Sequence, residues 1–193
     1  MDAYTRRLPN AITLMRPVLA CVFVALLPGR FEGSTGAAAP LAVFACICLT
    51  DFLDGRLARA LGAVSKAGAY LDVYSDFFYI TASLVALNVL GQIPVWFTAV
   101  VFVKFLEYVV PSRVLRGGGA VFVTDPFGRI AAGLFFIVPG IACAFFDAPL
   151  CAVIIPVALY LAGALALVSS VTRWVSCTEG IGRRGAVQRG VMR

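Results

Sequence analysis

The chain has 193 residues, of which 61% are hydrophobic and only 13% charged, with a formal net charge of +6 and no histidine. Ordinary soluble domains carry about 25% charged residues, so this composition excludes a water-soluble enzyme as the default reading, and a disordered chain with it. A mean hydropathy of +0.95 makes a bilayer the expected solvent.

Six apolar segments approach the length of about 20 residues that a helix needs to cross the hydrocarbon core. They run at residues 11–27, 37–50, 68–90, 93–110, 127–146 and 150–171, with breaks such as Pro28-Gly29-Arg30 and Arg116-Gly117-Gly118-Gly119 between them. The expected fold is an all-α integral membrane protein with six transmembrane helices. Residues 1–7 offer no small-residue cleavage site behind a short apolar stretch, so the first span is expected to stay. Arg6, Arg7, Arg56, Arg59, Lys66, Arg113, Arg116 and the arginines beyond residue 172 all fall on the side shared by both termini, while the opposite loops offer only Arg30. Lys and Arg accumulate on the cytoplasmic side of short loops, which places both termini in the cytoplasm and the chain in the cell membrane. Residues 1–172 form the expected membrane domain, and 173–193 a basic cytoplasmic tail that is drawn to lipid or disordered. The positive charge is explained by this topology and by anionic head groups. No aromatic-basic interleaving points to nucleic acid. The six cysteines, Cys21, Cys46, Cys48, Cys143, Cys151 and Cys177, show no CxxC pairing or metal-ligand spacing and are expected as packing or lipid-facing residues.

Without histidine, acid-base or metal chemistry falls to carboxylates. Asp51, Asp54, Asp72 and Asp76 border or enter apolar segments, where a charge is costly. On a helix, positions 51, 54, 55 and 58 share one face, and so do 68, 72 and 76. The second span ends at the first pair of acids and the third begins at the second pair, and their short connection makes them antiparallel neighbours. Four carboxylates therefore converge near the inner interface and call for a bound cation, with hard oxygen ligands suited to Mg²⁺, Mn²⁺ or Ca²⁺. The apolar part of the second span covers about 21 Å at 1.5 Å per residue, short of a core about 30 Å thick, so Asp51 should lie below the head-group level. Gly55, Ala58 and Gly68 lie on the acid-bearing faces, where they either let backbones approach or leave room for a phosphorylated ligand.

The pattern Asp51-x2-Asp54-Gly55-x2-Ala58-Arg59-x8-Gly68-x3-Asp72-x3-Asp76 resembles, without a mismatch, the signature of the CDP-alcohol phosphatidyltransferases. The stretch Pro9-Asn10-x2-Thr13-x2-Arg16 is similar to the first-helix entry of several branches of that family. The resemblance implies a six-helix membrane enzyme, usually a homodimer, that displaces CMP from CDP-diacylglycerol with an acceptor alcohol in phospholipid synthesis. It implies two divalent ions, Mg²⁺ or Mn²⁺, with Asp51, Asp54 and Asp72 as principal ligands and Asp76 at the edge of the site as both ligand and base. By the same resemblance Asn10, Asp51, Gly55, Ala58, Arg59 and Gly68 bind the nucleotide.

For the acceptor, Lys104, Arg113, Arg116 and Arg129 are candidates to form a basic pocket for a phosphorylated alcohol. Lys104 and Glu107 are also spaced as an i,i+3 ion pair, and Arg113 and Arg116 also read as topology charges. Phosphatidylglycerophosphate synthases typically carry Pro after the third signature Asp and Ala-Asp-Lys around the fourth. This chain has Val73 and then Ser75-Asp76-Phe77. This departs from the glycerol 3-phosphate branch and leaves the identity of the acceptor open; a phosphorylated alcohol, glycerol 3-phosphate or inositol phosphate, is expected from the basic candidates, with unphosphorylated serine or inositol as the alternative. A transporter is the rival from another class, but transporter sites come with broken helices and internal repeats, neither of which is evident here.

Overall fold

The computed structural model describes the backbone of residues 3–63, 65–114 and 126–191, and the side chains of residues 9–63, 65, 67–107 and 126–174. Among these residues the chain is all-helical: α1 is Ala3–Phe31, α2 Ala38–Ala60, α3 Lys66–Val89, α4 Val95–Val114, α5 Pro126–Phe145 and α6 Cys151–Val191. Four stretches, Pro9–Phe31, Ala38–Ala60, Pro126–Phe145 and Cys151–Trp174, are long and apolar enough to cross a membrane. In α3 the acids Asp72 and Asp76 occupy the first half, so its uninterrupted apolar run is shorter. α6 continues past the apolar run through Val191, with no proline to stop it, so the backbone of the basic segment is helical.

The surface is apolar. Val18, Leu49, Val89, Val157, Leu167 and Val171 are all exposed large hydrophobics, the reverse of the pattern in a water-soluble domain. Lipid tails are as apolar as these side chains, so the bundle is held by close packing and interhelical hydrogen bonds rather than by the escape of apolar surface from water. α1 packs along both α2 and α3, α5 packs along α6, and α5 joins the two groups through α2 and α3, while α4 bridges α3 and α6. At the junction, Tyr79 of α3 lies 5.9 Å from the Phe23 ring of α1, 6.4 Å from Phe44 of α2 and 4.8 Å from Phe136 of α5. The buried Tyr79 hydroxyl donates to the Phe136 carbonyl at 3.3 Å.

The turn between α2 and α3 sets the register of the two acid stripes. α2 stops at Gly62, which takes φ 58, a left-handed conformation suited to glycine. Its N–H donates to the Arg59 carbonyl at 3.2 Å and that of Ala63 to the Ala58 carbonyl at 2.9 Å, the paired bonds of a Schellman stop. Ser65 then caps α3 from an extended backbone, its Oγ accepting from the Gly68 N–H at 3.0 Å.

At the other end of the bundle, Arg30 is not a loop charge in solvent. It is buried, donates twice to the Cys143 carbonyl at 3.1 and 3.0 Å, pairs with Asp147 at 2.7 Å, and lies over the Phe146 ring at 5.2 Å. The end of α5 offers carbonyls that no helix N–H satisfies, and Arg30 supplies a donor there that ties α1 to α5.

Candidate active site

The four acids converge, as their spacing predicts, and they do so around a cation supplied by α1. Arg16 has 0% side-chain exposure, and its two terminal nitrogens divide between the neighbouring helices. Nη2 pairs with Asp51 at 3.0 Å and Asp54 at 2.8 Å, both on α2. Nη1 pairs with Asp72 at 2.8 Å and with Asp76, both on α3. The planar fork of a guanidinium allows this division, since its donors are fixed in direction and each terminal nitrogen carries two. The Nε is buried without a hydrogen-bond partner among the described residues, so the side chain is committed through its tip. In the sequence Arg16 belongs to the Pro9-Asn10-x2-Thr13-x2-Arg16 stretch, whose pattern does not indicate a role for it. The available signal was that Arg16 is the one charged residue between positions 11 and 27, where a charge without a partner is expensive.

The four carboxylates are not equivalent. Asp54 retains 6% side-chain exposure, against 44% for Asp51, 43% for Asp72 and 33% for Asp76. Thr13, one turn before Arg16, places its hydroxyl 2.8 Å from Asp54 Oδ2 and 3.1 Å from the Pro9 carbonyl, with one proton to share between them. Pro17 follows Arg16 and lacks the N–H that would otherwise bond the Thr13 carbonyl in the helix ladder. Asp54 is thus the inner acid, and Asp51, Asp72 and Asp76 face outward.

Those three outer acids each offer an oxygen within 4.8 Å of the others, the one grouping among the described residues able to hold a metal ion. The donor set is hard oxygen, which fits Mg²⁺ or Mn²⁺. One guanidinium against four carboxylates leaves three formal negative charges, which also fits divalent cations. Asp54, expected beside them as a ligand, lies outside this grouping of oxygens; its Oδ2 is engaged by Arg16 and Thr13.

Around this centre the predicted nucleotide residues fall into place unevenly. Asn10 on α1 approaches the start of α3, where a Cβ added to Gly68 would come within 3.0 Å of Asn10 Oδ1 and 3.1 Å of Ser65 Oγ. Glycine at 68 is what admits Asn10 so near the backbone. On α2, the exposed Arg59 folds back along the helix, its Nη1 3.6 Å from where a Cβ of Gly55 would stand. Ala58 is half-buried on the same helix.

The acceptor candidates are more dispersed. Lys104 makes the i,i+3 pair, reaching Glu107 at 3.0 Å, and its ammonium also donates to Ser169 at 2.6 Å and Ser170 at 3.3 Å on α6. All three ammonium donors are thereby used, and Ser170 closes the network by donating to Glu107 at 2.9 Å. Sequence alone exposed the Lys104–Glu107 spacing but not the serines. Arg129 is exposed near the start of α5. Among the described residues no hydrogen bond or ion pair joins Lys104 or Arg129 to the carboxylates. The side chain of Arg113 and the whole of Arg116 lie outside the described residues.

The chain is also similar to known proteins. The chain is 36% identical over 113 residues to a Mycobacterium tuberculosis protein described as "Probable phosphatidylglycerophosphate synthase", covering 58% of this chain and 54% of that protein. It is 29% identical over 133 residues to the CDP-diacylglycerol--glycerol-3-phosphate 3-phosphatidyltransferase of Bacillus subtilis, covering 64% and 69%. It is 32% identical over 113 residues to the cardiolipin synthase (CMP-forming) of Streptomyces coelicolor, covering 58% and 53%. The match spans about half the length of the first and third of these relatives. The CDP-alcohol phosphatidyltransferase family itself matches across residues 6–175, a stretch that takes in Arg16, all four acids and most of α6, and the chain belongs to that family.

Proposed function

We propose that the chain transfers a phosphatidyl group from CDP-diacylglycerol to an acceptor alcohol and releases CMP, with two divalent cations held by Asp51, Asp54, Asp72 and Asp76. The observation that carries this reading is the convergence of Asp51, Asp72 and Asp76 within 4.8 Å at the exposed side of a buried arginine. Family membership supports the class of reaction. When bound, Mg²⁺ or Mn²⁺ supplies charge neutralisation on the diphosphate oxygens.

The chain's own groups would do the rest. Arg59 offers a planar fork to a phosphate of the CMP portion, and Asn10, Gly55, Ala58 and Gly68 shape its seat. Asp76 meets Arg16 through Oδ1, and its second oxygen would be the one to meet the acceptor. Its carboxylate takes the acceptor hydroxyl's proton as that oxygen bonds to the lipid-bearing phosphorus and the bond from phosphorus to the CMP oxygen breaks. With Lys104 saturated by Glu107, Ser169 and Ser170, the contact to a phosphorylated acceptor is assigned to Arg129, and Lys104 fixes α4 against α6.

The proposal extends to the setting: a homodimer with six spans in the cell membrane, both termini and the site on the cytoplasmic side. The charge distribution and the apolar surface support it. Glycerol 3-phosphate, named in the activity of the Bacillus relative, is the first acceptor to test, with inositol phosphate second. The test is CMP release by the purified chain with CDP-diacylglycerol and Mn²⁺ against glycerol 3-phosphate, inositol phosphate, inositol and serine. The phosphorylated alcohols should be preferred, and preference for serine or free inositol would overturn the acceptor assignment.

A further inference from the structure

We propose that Arg16 is a built-in counter-ion of the carboxylate centre, which holds the acids of α2 and α3 together before divalent cations bind and weakens the binding of those cations. This rests on the metal-site reading above and adds a role for a residue outside the ligand set. The geometry is specific. One nitrogen serves the α2 pair and the other the α3 pair, so a single side chain of α1 clips two helices whose facing acids would otherwise repel.

The direction of the contacts separates Arg16 from a substrate-binding group. Its side chain has no exposure, and it touches the acids from the inner side, where Asp54 and Thr13 also lie. Each outer acid meets it through Oδ1, so the second oxygen of each is not taken by this contact, and all three side chains are partly exposed where Arg16 is not. Arg16 is therefore a positioning residue, acting through Asp51, Asp72 and Asp76. A fixed positive charge beside a cation site repels an incoming divalent ion, and the repulsion is strong where the surroundings are poor in water. The same charge stabilises the acids when no ion is present. The two effects have opposite signs, which makes the role separable from simple packing.

The test uses the full chain in detergent with Mn²⁺ as the only ligand, comparing the wild type with Arg16→Gln. Thermal midpoints are read in EDTA and in Mn²⁺, and the Mn²⁺ dissociation constant is measured by the paramagnetic signal of the free ion. Arg16→Gln should lower the midpoint in EDTA, gain more from Mn²⁺ than the wild type gains, and bind Mn²⁺ about tenfold more tightly. An arginine that only packed would lower both midpoints alike, and equal or weaker Mn²⁺ binding in the variant overturns the proposal.

Should Arg16→Gln not fold, Arg16→Lys decides. A single ammonium keeps the charge but cannot span both helix pairs, so the midpoint in EDTA should fall while Mn²⁺ binding stays within about threefold of the wild type, and an unchanged midpoint in EDTA overturns the role. A wild type that binds no Mn²⁺ at all overturns the metal reading and this inference together, whereas wild-type binding that Arg16→Gln does not tighten, or an EDTA midpoint that Arg16→Lys does not lower, removes the inference alone.

Discussion

Arg16 Nη2 and Asp54 Oδ2 lie 2.8 Å apart, with the arginine side chain fully buried and the aspartate nearly so. Thr13 donates to the same carboxylate oxygen from one turn earlier on α1. Removing one partner of a buried, hydrogen-bonded charge pair costs more than removing a charge that water already screens. Asp54→Asn should therefore destabilise the metal-free protein by about 1–3 kcal/mol, since it weakens two charge-assisted contacts at once. Asp51→Asn should cost little, because its side chain is 44% exposed and its loss also relieves repulsion among the acids. Thermal denaturation in detergent with EDTA reads both, and equal losses would show that the inner and outer acids do not differ in role.

Asp76→Asn should remove most turnover, a fall of about 100-fold or more, while CDP-lipid binding stays largely intact, because a base acts on the acceptor and not on the nucleotide. Rate and nucleotide affinity measured on the same preparation decide this. A collapse of both would make Asp76 chiefly a metal ligand.

Arg129→Lys should raise the KM for a phosphorylated acceptor by about tenfold, equivalent to about 1.4 kcal/mol for one charge-assisted contact, and leave the KM for the CDP-lipid unchanged. A lysine keeps the charge and loses the paired geometry. Unaltered acceptor kinetics would return Arg129 to the role of an inside-positive anchor.

Lys104→Met leaves the largely buried Glu107 without its cation and should destabilise by about 3 kcal/mol. The double change Lys104→Met with Glu107→Leu removes both charges and should recover most of that loss. Denaturation midpoints of the two single variants and the double variant give the coupling, and an additive double variant would mean that the pair contributes nothing.

The elements that the sequence made legible are those set by local spacing. Asp51, Asp54, Asp72 and Asp76 announce themselves because helical periodicity gathers them on two faces, and because a short turn with Gly62 and Ser65 can only return the chain antiparallel. The partner of those acids was not legible in the same way. Which residue of α1 meets α2 and α3 depends on the register of three packed helices, and no spacing within α1 reveals that Arg16 divides its nitrogens between Asp54 on one side and Asp72 on the other. The same holds for Lys104, whose serine partners Ser169 and Ser170 lie 65 and 66 residues away. Arg30 read as a loop charge because its acceptor, the Cys143 carbonyl, is a backbone group that side-chain patterns do not report. Helix lengths also ran beyond the apolar segments: α2 continues through Ala60 and α6 through Val191, since hydropathy marks where lipid should end and not where the hydrogen-bonded ladder ends.

The most direct test of the central claim is CMP release by the purified full chain from CDP-diacylglycerol and glycerol 3-phosphate, with EDTA and then with Mg²⁺ or Mn²⁺ added back. Four converging acids and a diphosphate substrate cannot all be compensated by one arginine, so turnover should fall to background in EDTA and return with the divalent ion. Asp72→Asn should stay at background throughout. Full turnover in a metal-free preparation, or undiminished turnover in Asp72→Asn, would contradict a carboxylate-metal site built on α2 and α3.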